Sequence, residues 1–390
     1  MRIALVAGEA SGDTLGAALI EELRRRFPEA QFAGVAGPRM KAAGCSAWFD
    51  SGDLGVMGLT EILRHLPRLL RLRGALQRRI LDWRADVFVG VDFKEFNLGL
   101  ARRLKKQGLR TVQYVSPQVW AWRRDRARTI GEAVDLILCL FPFEPAFYRE
   151  YGVRAAFVGH PLADQIPMEV DRAAARAELG IPADARVLAV LPGSRRGEVE
   201  HLGDAFAGAA ELLAARYPGL VTVAPMVTAQ LKDSFAERCA RLAPRAAVRL
   251  LDGQARRALI AADVVLAASG TATLEAALCK RPMVVAYRLG AITAFLLRRF
   301  GLVKVRHFSQ PNLLADSALV PEFFQEQVNP GNLADALAAW FEQPQRVAQV
   351  QAEFTRIHET LRRGGAARAA AEIADMLTVW TAHVETPGAA

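Results

Sequence analysis

The chain has 390 residues, more than one ordinary hydrophobic core accommodates, so two domains are expected. Its formal net charge of +9 favours anionic partners, namely phosphorylated substrates, nucleic acid or an acidic membrane surface. The four cysteines form no C-x-x-C pair and indicate the reduced thiols of a cytosolic protein. The first apolar run is too short for a signal peptide, and no uncharged apolar stretch reaches the roughly 18 residues of a spanning helix.

Short runs rich in Val, Ile and Leu alternate with helical patterns along the chain. Most runs are continuously apolar, which is typical of parallel strands covered on both faces. The pattern predicts doubly wound α/β sheets with ligand sites at the carboxyl ends of the strands. The predicted strands are Arg2–Ala7, Phe32–Ala36, Val87–Val91, Thr111–Val115, Leu136–Leu140, Ala156–Val158, Val187–Leu191, Leu220–Ala224, Val248–Leu251, Val264–Ala267 and Met283–Tyr287.

A polar, proline-bearing stretch from Gly159 to Pro182 separates two series of βα units. We therefore predict a first domain over residues 1–165 and a second over residues 166–345. Residues 346–390 have the composition of a helical tail, which either crosses back to the first domain or exchanges with a partner chain.

The turn after the first strand carries glycines at 8, 12 and 16, which do not match the G-x-G-x-x-G dinucleotide fingerprint. Glu9 and Asp13 would also repel a closely held diphosphate. An NAD oxidoreductase is therefore disfavoured.

A leucine- and arginine-rich stretch follows at Met57–Arg73. Its leucines have helical spacing and its arginines rim them, as a helix on an anionic membrane surface requires; packing on its own domain is an equal alternative. Pro67 is expected to kink or divide the helix. A similar patch begins at Phe295. The residues predicted to face the membrane are Leu59, Ile62, Leu63, Leu66, Leu69 and Leu70.

Polar residues end several strands of the first half. Asp92 follows a buried strand and is a candidate general base, with helix capping as the alternative. Trp120 and Trp122 predict an amphipathic wall or ordinary packing. His160 is either a base or a linker histidine.

Two turns in the second half have phosphate-binding composition. Gly193 lets backbone N–H groups approach an anion, Ser194 can donate a hydrogen bond, and Arg195 can grip phosphate oxygens. The turn Ser269–Thr271 opens a helix whose free N–H groups favour an anion. Glu275 could accept hydrogen bonds from a ribose diol or only stabilise the first helical turn. The sequence has no D-x-D triplet, His/Cys cluster or P-loop, so metal-bridged binding lacks its usual ligands.

Nine motifs spread over the chain up to about Asp316 carry a family resemblance. They are AGEASGD (7–13), VGVDFKEFN (89–97), YVSPQVWAWR (114–123), FPFEPAFY (141–148), FVGHPL (157–162), LPGSRRGEVE (191–200), ASGTATLEA (268–276), PMVVAYR (282–288) and QPNLLAD (310–316). In this order they resemble the lipid-A-disaccharide synthase family of glycosyltransferases. One departure is that the family usually has Pro-Asp-Phe-Asn behind its aspartate, where Lys94-Glu95-Phe96-Asn97 stands here.

The resemblance implies a GT-B fold, with two Rossmann-like doubly wound domains facing a cleft. It implies transfer of 2,3-diacylglucosamine from its UDP donor to 2,3-diacylglucosamine 1-phosphate, with inversion, a β-1′,6 linkage and release of UDP. Enzymes of this family need no metal or other cofactor. They are peripheral on the inner, cytoplasmic face of the cytoplasmic membrane, and can form homodimers that exchange C-terminal segments.

Carried onto this sequence, the resemblance supports a catalytic set of Asp92, Arg195 and Ser11. Asp92 would be the base for the acceptor 6-hydroxyl, Arg195 would stabilise the leaving UDP, and Ser11 would contact the acceptor or only shape its turn. The donor-binding residues would be Gly193, Ser194, Arg195, Ser269, Gly270, Thr271, Glu275 and Asn312.

Other functions stay open. Another UDP-sugar GT-B transferase or a nucleotide-sugar epimerase would share the fold and the UDP site. Membrane binding by the leucine patch would distinguish the lipid-using transferase from both. A nucleic-acid-binding protein is disfavoured, because the arginines are interleaved with leucines and no helix-turn-helix or RNP pattern occurs.

Overall fold

The chain divides into two units that each contain one parallel sheet. Unit 1 comprises Met1–Asp164 and Leu361–Ala390, and unit 2 comprises Gln165–Thr360. A computed structural model describes residues 1–52, 62–122, 124–290 and 306–384.

Unit 1 contains a sheet of seven parallel strands. The strands are Arg2–Ala7 (β1), Gln31–Ala36 (β2), Cys45–Asp50 (β3), Val87–Val91 (β4), Arg110–Tyr114 (β5), Leu136–Cys139 (β6) and Ala155–Phe157 (β7). Their order across the sheet is β3-β2-β1-β4-β5-β6-β7. The central strands are continuous buried runs because helices cover both faces.

The helices described in unit 1 follow its strands, as alternating βα units require. They are Ala10–Arg26 (α1), Pro38–Ala42 (α2), Ile62–Asp82 (α3), Lys94–Lys105 (α4), Val119–Trp122 (α5), Arg126–Ala133 (α6), Glu144–Arg149 (α7) and Pro161–Gln165 (α8), the last ending at the boundary with unit 2. Helix α3 continues through Pro67, so of the two expected outcomes, a kink or a division, the division does not occur. A proline removes one backbone donor, and the bonds of the neighbouring turns keep the helix continuous.

Unit 2 has six parallel strands. They are Val187–Leu191 (β8), Val221–Met226 (β9), Arg249–Asp252 (β10), Val264–Ala268 (β11), Met283–Tyr287 (β12) and Glu322–Phe324 (β13), in the order β10-β9-β8-β11-β12-β13. The helices described are Arg172–Glu178 (α9), Arg196–Arg216 (α10), Ala229–Leu242 (α11), Ala255–Ala261 (α12), Thr271–Leu278 (α13), Gln310–Ala315 (α14), Pro330–Glu342 (α15) and Pro344–Leu361 (α16), with a short 3-10 helix at Gln325–Gln327.

The final helix, Gly365–Val384 (α17), returns to unit 1. It packs on α1, and its residues Ala369, Ala370, Ile373 and Met376 join the buried core around β1. Helix α16 stays with unit 2, where the Gln351 amide donates to the backbone oxygen of a residue that follows α13, Lys280. The second boundary therefore falls at 360/361 instead of the expected 345/346.

Both sheets reverse their strand order at one place, between β1 and β4 in unit 1 and between β8 and β11 in unit 2. In doubly wound sheets, ligands bind outside the carboxyl ends of the strands at such a reversal. The turns that follow these four strands are therefore where a site is expected in each unit.

Candidate functional site

The turns after β1 and β4 of unit 1 meet at the strand reversal. The Ser11 hydroxyl donates to Asp92 Oδ2 at 3.5 Å. A Cβ on Gly8 would lie 2.6 Å from the Phe93 ring, so only glycine permits this approach of the two turns. The structure thus brings together Ser11 and Asp92, which the sequence placed 81 residues apart.

Asp92 does not cap the helix that follows it. Helix α4 begins at Lys94, its N-cap residue is Phe93, and that cap has no side-chain hydrogen bond. The backbone of Asp92 and Phe93 is left-handed, with φ of 51° and 37°. Left-handed residues other than glycine are strained and concentrate at functional sites. The geometry therefore favours the general-base interpretation over the capping alternative.

The two acidic residues of the opening turn differ in role. Asp13 is buried, and its carboxylate accepts hydrogen bonds from the backbone N–H groups of Gly37, Arg39 and Met40 at 2.8, 2.9 and 3.0 Å. It fixes the turn after β2. Glu9 is exposed and is the N-cap residue of α1 without a side-chain cap.

Buried polar groups surround the tryptophan segment after β5. The Trp120 indole donates to Glu144 Oε1 at 3.1 Å, and its ring packs edge-on against Phe143 at 4.8 Å. Burial raises the pKa of the Glu144 carboxyl to about 7, against the effect of the backbone hydrogen bond from Phe141. Trp120 is half-buried, so packing accounts for most of its surface.

His160 is a structural residue. It is buried, its Nδ1 accepts from the backbone N–H of Leu162 at 3.2 Å, and burial lowers its pKa to about 4. A neutral imidazole held in this way agrees with the linker alternative.

The turn after β8 in unit 2 already holds a carboxylate. Glu198 Oε2 accepts from the backbone N–H groups of Ser194 and Arg195 at 2.8 and 3.2 Å. Gly193 has φ of +130°, and a Cβ there would lie 2.4 Å from Glu198 Cβ. Glu198 therefore occupies these N–H groups in this structure, and the donor-binding role of Gly193 and Ser194 stays a prediction. The sequence signal was a Glu three residues after the N-cap residue Arg195, the capping-box position.

Arg195 presents its cation to solvent. Its side chain is 81% exposed and its Nη1 lies 3.8 Å from Glu198 Oε1. A guanidinium so placed can still bind phosphate oxygens.

The turn after β11 is open at its helix. Helix α13 begins at Thr271, and the preceding Gly270 provides no side-chain cap; both residues are exposed. The Ser269 N–H donates to Ala286 O and its hydroxyl donates to Phe308 O, both at 3.0 Å, and its donor-binding role stays a prediction. Its polar groups are thus used within unit 2.

Glu275 and Asn312 differ in whether their polar side chains are already hydrogen-bonded within unit 2. Glu275 is half-buried, its carboxylate makes no hydrogen bond with any described residue, and burial raises its pKa while Arg256 acts in the other direction. Asn312 is 1% exposed, and its amide exchanges two hydrogen bonds of 2.9 Å with the backbone of Val320. This amide therefore closes a loop, and the donor contact expected of Asn312 stays a prediction.

Helix α3 divides the residues predicted to face the membrane. Leu69 is buried in the unit 1 core beside Leu76 and Ile80, so its membrane-facing prediction is wrong. Leu70 is 43% exposed. Outside the described part of the chain lie the side chains of Ile62, Leu63 and Leu66, all of Leu59 and the patch at residues 295–305.

The described ranges contain neither a membrane-spanning helix nor a cluster of metal ligands. No helix there has the length and apolar character to cross a membrane. No three His, Cys, Asp or Glu side chains gather there as metal ligands. All four cysteines are buried free thiols.

Known proteins resemble the chain over almost its whole length. The family profile described as lipid-A-disaccharide synthetase matches residues 3–376. The lipid-A-disaccharide synthase of Xanthomonas campestris pv. campestris (strain 8004) is 53% identical, with 97% of this chain and 86% of that protein covered. The lipid-A-disaccharide synthase of Xylella fastidiosa (strain M12) is 51% identical, with 96% and 98% covered.

Solved structures share the fold. The UDP-GlcNAc 2-epimerase of Neisseria meningitidis, bound to UDP-GlcNAc, has a TM-score of 0.64 at 12% identity, covering 97% of this chain and 100% of that chain. The glycosyltransferase of kitacinnamycin has a TM-score of 0.59 at 19% identity, covering 96% and 98%. The chain therefore belongs to the lipid-A-disaccharide synthase family of glycosyltransferases, and its two Rossmann-like parallel-sheet units have the GT-B fold.

Proposed function

We propose that this chain transfers diacylglucosamine from UDP-2,3-diacylglucosamine to 2,3-diacylglucosamine 1-phosphate. The product is the β-1′,6-linked disaccharide 1-phosphate of lipid A, and UDP leaves. Family membership over residues 3–376 supports the reaction, and the Ser11–Asp92 contact at the unit 1 reversal is the observation that supports the proposed chemistry.

The acceptor reacts at unit 1. Asp92 accepts the proton of the acceptor 6-hydroxyl as its oxygen attacks the anomeric carbon of the donor sugar from the face opposite UDP. Ser11 donates to the Asp92 carboxylate and thereby fixes its orientation, at the 3.5 Å seen here. A positioned general base contributes roughly 10²–10⁴-fold to a rate.

The donor binds at unit 2. The uncapped start of α13 at Gly270 and Thr271 offers backbone N–H groups and the positive end of a helix dipole to the diphosphate. Arg195 adds an exposed cation that stabilises the charge developing on the leaving UDP. Glu275 accepts from the ribose hydroxyls, which satisfies a carboxylate that has no partner among the described residues.

Incubation of the full chain with both lipid substrates tests the proposal. Mass spectrometry is expected to detect UDP and the disaccharide 1-phosphate in equal amounts. Donor consumption without disaccharide, or an epimerised donor when the acceptor is omitted, would overturn it.

We further propose that the protein acts as a peripheral enzyme on the inner face of the cytoplasmic membrane. The exposed Leu70 of α3 lies next to Arg71, which is also exposed, on a chain with a net charge of +9. An exposed apolar side chain beside a cation suits an anionic lipid surface.

A vesicle assay tests the membrane proposal. Leu70→Ser is expected to weaken sedimentation with phosphatidylglycerol vesicles about tenfold, because a buried leucine contributes roughly 1.5–3 kcal/mol. Leu212→Ser is the matched control, because Leu212 is 47% exposed on α10 of unit 2. Equal binding of both variants and the wild type would remove α3 from the interface.

A homodimer that exchanges α17 is a third proposal. Helix α17 contributes four buried residues to the unit 1 core and follows a short connection after α16, so a partner's helix could occupy the same position. Light scattering of the full chain is expected to give twice the mass of one chain. A single-chain mass at micromolar concentration would contradict exchange.

A further inference from the structure

Two buried amides join the carboxyl ends of three neighbouring strands at the unit 1 reversal. Asn97 Nδ2 donates to Val6 O at the end of β1 and to Asp92 O after β4, at 3.2 and 3.0 Å. Gln113 Nε2 donates to the same Asp92 O at 2.9 Å and to Val115 O after β5 at 3.3 Å. Asn97 is 0% exposed and Gln113 is 1% exposed.

The carbonyl that both amides hold belongs to the strained turn. Asp92 and Phe93 both have positive φ, and Val115, whose carbonyl Gln113 also contacts, has φ of 78°. Left-handed backbone is unfavourable for residues with a Cβ, and most of all for a β-branched valine. Such a conformation persists only where surrounding contacts determine it.

Glycine at either position of the turn would remove the strain, yet the chain has an aspartate and a phenylalanine there. The Phe93 ring in turn lies against Gly8 of the opening turn, next to Ser11. The direction of the Asp92 Cα–Cβ bond follows from its backbone conformation, so contacts that fix the Asp92 carbonyl also fix the point from which the carboxylate extends towards Ser11.

We infer that Asn97 and Gln113 are positioning residues that hold the Asp92–Phe93 turn in its left-handed conformation and so aim the Asp92 carboxylate at the acceptor hydroxyl. This inference rests on the proposed function. Neither amide touches substrate; both act through the backbone oxygen of Asp92. Their own oxygens, Asn97 Oδ1 and Gln113 Oε1, accept no hydrogen bond from any described residue, so in the described contacts both amides serve as donors.

The first test replaces Gln113 with leucine, which keeps its approximate volume and removes its donors. We expect kcat to fall tenfold or more, while KM for both substrates and the affinity of unit 2 for UDP stay within twofold. A loss that falls on kcat alone separates positioning from a general weakening of the fold.

Thr111→Val is the matched control. Thr111 lies on the same strand, one residue from its start, and its buried hydroxyl donates to Ala133 O or Asp135 Oδ2, both at 3.2 Å. This variant is expected to lower the melting temperature as Gln113→Leu does, with wild-type kcat. If Gln113→Leu also retains wild-type kcat, the inference is overturned.

A second pair of variants tests the strain without relying on Gln113. Phe93→Gly and Phe93→Ala both lose the ring, and only glycine relieves the positive φ. We expect the glycine variant to melt about 2–4 °C above the alanine variant, and to have the lower kcat because its turn is less constrained. A glycine variant that melts no higher, or that turns over faster, would contradict the inference.

The two hypotheses fail in different ways. If the wild-type chain forms no disaccharide, the proposed function fails, whereas the melting order of the Phe93 variants still reports the strain. If the wild type is active and Gln113→Leu equals it, only the positioning role fails.

Discussion

The same topological position has opposite chemistry in the two units. In unit 2 the turn after the first strand is closed by Glu198, which takes up the N–H groups of Ser194 and Arg195. In unit 1 the turn after β1 has no such side chain at its helix start, and its Ser11 contacts Asp92 of the neighbouring turn. Two turns with similar strand-to-helix geometry therefore cannot be assigned the same ligand from their glycines alone.

The two units also differ in the sign of the charge that their candidate site residues carry. Unit 1 places one carboxylate in a strained turn, whereas unit 2 has an exposed guanidinium in the turn after β8 and an uncapped helix start after the neighbouring strand β11. We expect loss of the first to remove chemistry and loss of the second to reduce binding of UDP.

The largest effect is expected from Asp92→Asn. The amide cannot accept the acceptor proton, so kcat should fall about 10²–10⁴-fold. Calorimetry should find the affinity for UDP unchanged, because the proposed UDP-binding residues are all in unit 2. Wild-type turnover of this variant would remove Asp92 from the mechanism, and Ser11→Ala should give a smaller loss of the same kind.

Arg195→Ala should come next, with a loss of UDP affinity of about tenfold or more, since hydrogen bonds to charged groups contribute roughly 1.5–3 kcal/mol. The neighbouring Arg196 provides the control. Its side chain is 76% exposed and pairs with Glu200, so Arg196→Ala should leave UDP affinity near the wild-type value. Equal losses would indicate that only the general positive charge matters.

The stability of unit 1 should depend on pH through the buried carboxyl of Glu144. Because burial raises the pKa of Glu144 to about 7, its protonated form is favoured by folding, and its contribution is present below pH 4.5 and lost as the pH rises towards 7. The full effect is roughly 3 kcal/mol, at about 1.4 kcal/mol for each pKa unit.

His160 acts in the opposite sense. Its pKa is lowered to about 4, so its contribution is lost as the pH falls from 6.5 towards 4. Melting curves of wild type and Glu144→Gln isolate the carboxyl: the variant should gain stability relative to wild type between pH 5 and pH 8. A difference that does not change with pH would contradict a raised pKa.

The smallest effect is expected from Glu198→Gln. The neutral amide oxygen still accepts from the two N–H groups, so stability should fall by about 1 kcal/mol. UDP affinity should change less than it does in Arg195→Ala. A larger loss of UDP affinity than in Arg195→Ala would place Glu198, and not the guanidinium, at the centre of donor binding.

The strands could be predicted because they are continuous apolar runs. All eleven predicted strands form, with ends within two residues. Val115 shows why ends err: it is apolar, yet its positive φ takes it out of β5. The two strands that the pattern missed are the edge strand β3, half of it exposed, and the three-residue β13.

The part of the candidate site that could be predicted is the part that follows from the order of the strands. Strands β1 and β4 are neighbours in any sheet of this order, so Ser11 and Asp92 had to come close. The use of particular hydrogen-bonding groups was not predictable, because Ser269 pairs with β12, Asn312 with Val320 and Glu198 with its own turn through tertiary contacts. The same holds for Leu69, whose burial depends on the rotation of α3 about its axis.

The return of α17 makes unit 1 discontinuous in the chain. Asp164, at the end of the first segment, accepts hydrogen bonds from the N–H groups of Gly364 and Gly365 at 2.9 and 2.7 Å, and His160 N–H donates to Leu361 O at 2.9 Å. Unit 2 is thus an insertion between two adjacent points of unit 1. On the ribosome, residues synthesised after unit 2 complete the first sheet's covering layer, so the later unit can reach its native state before the earlier one, against the usual N-terminal-first order.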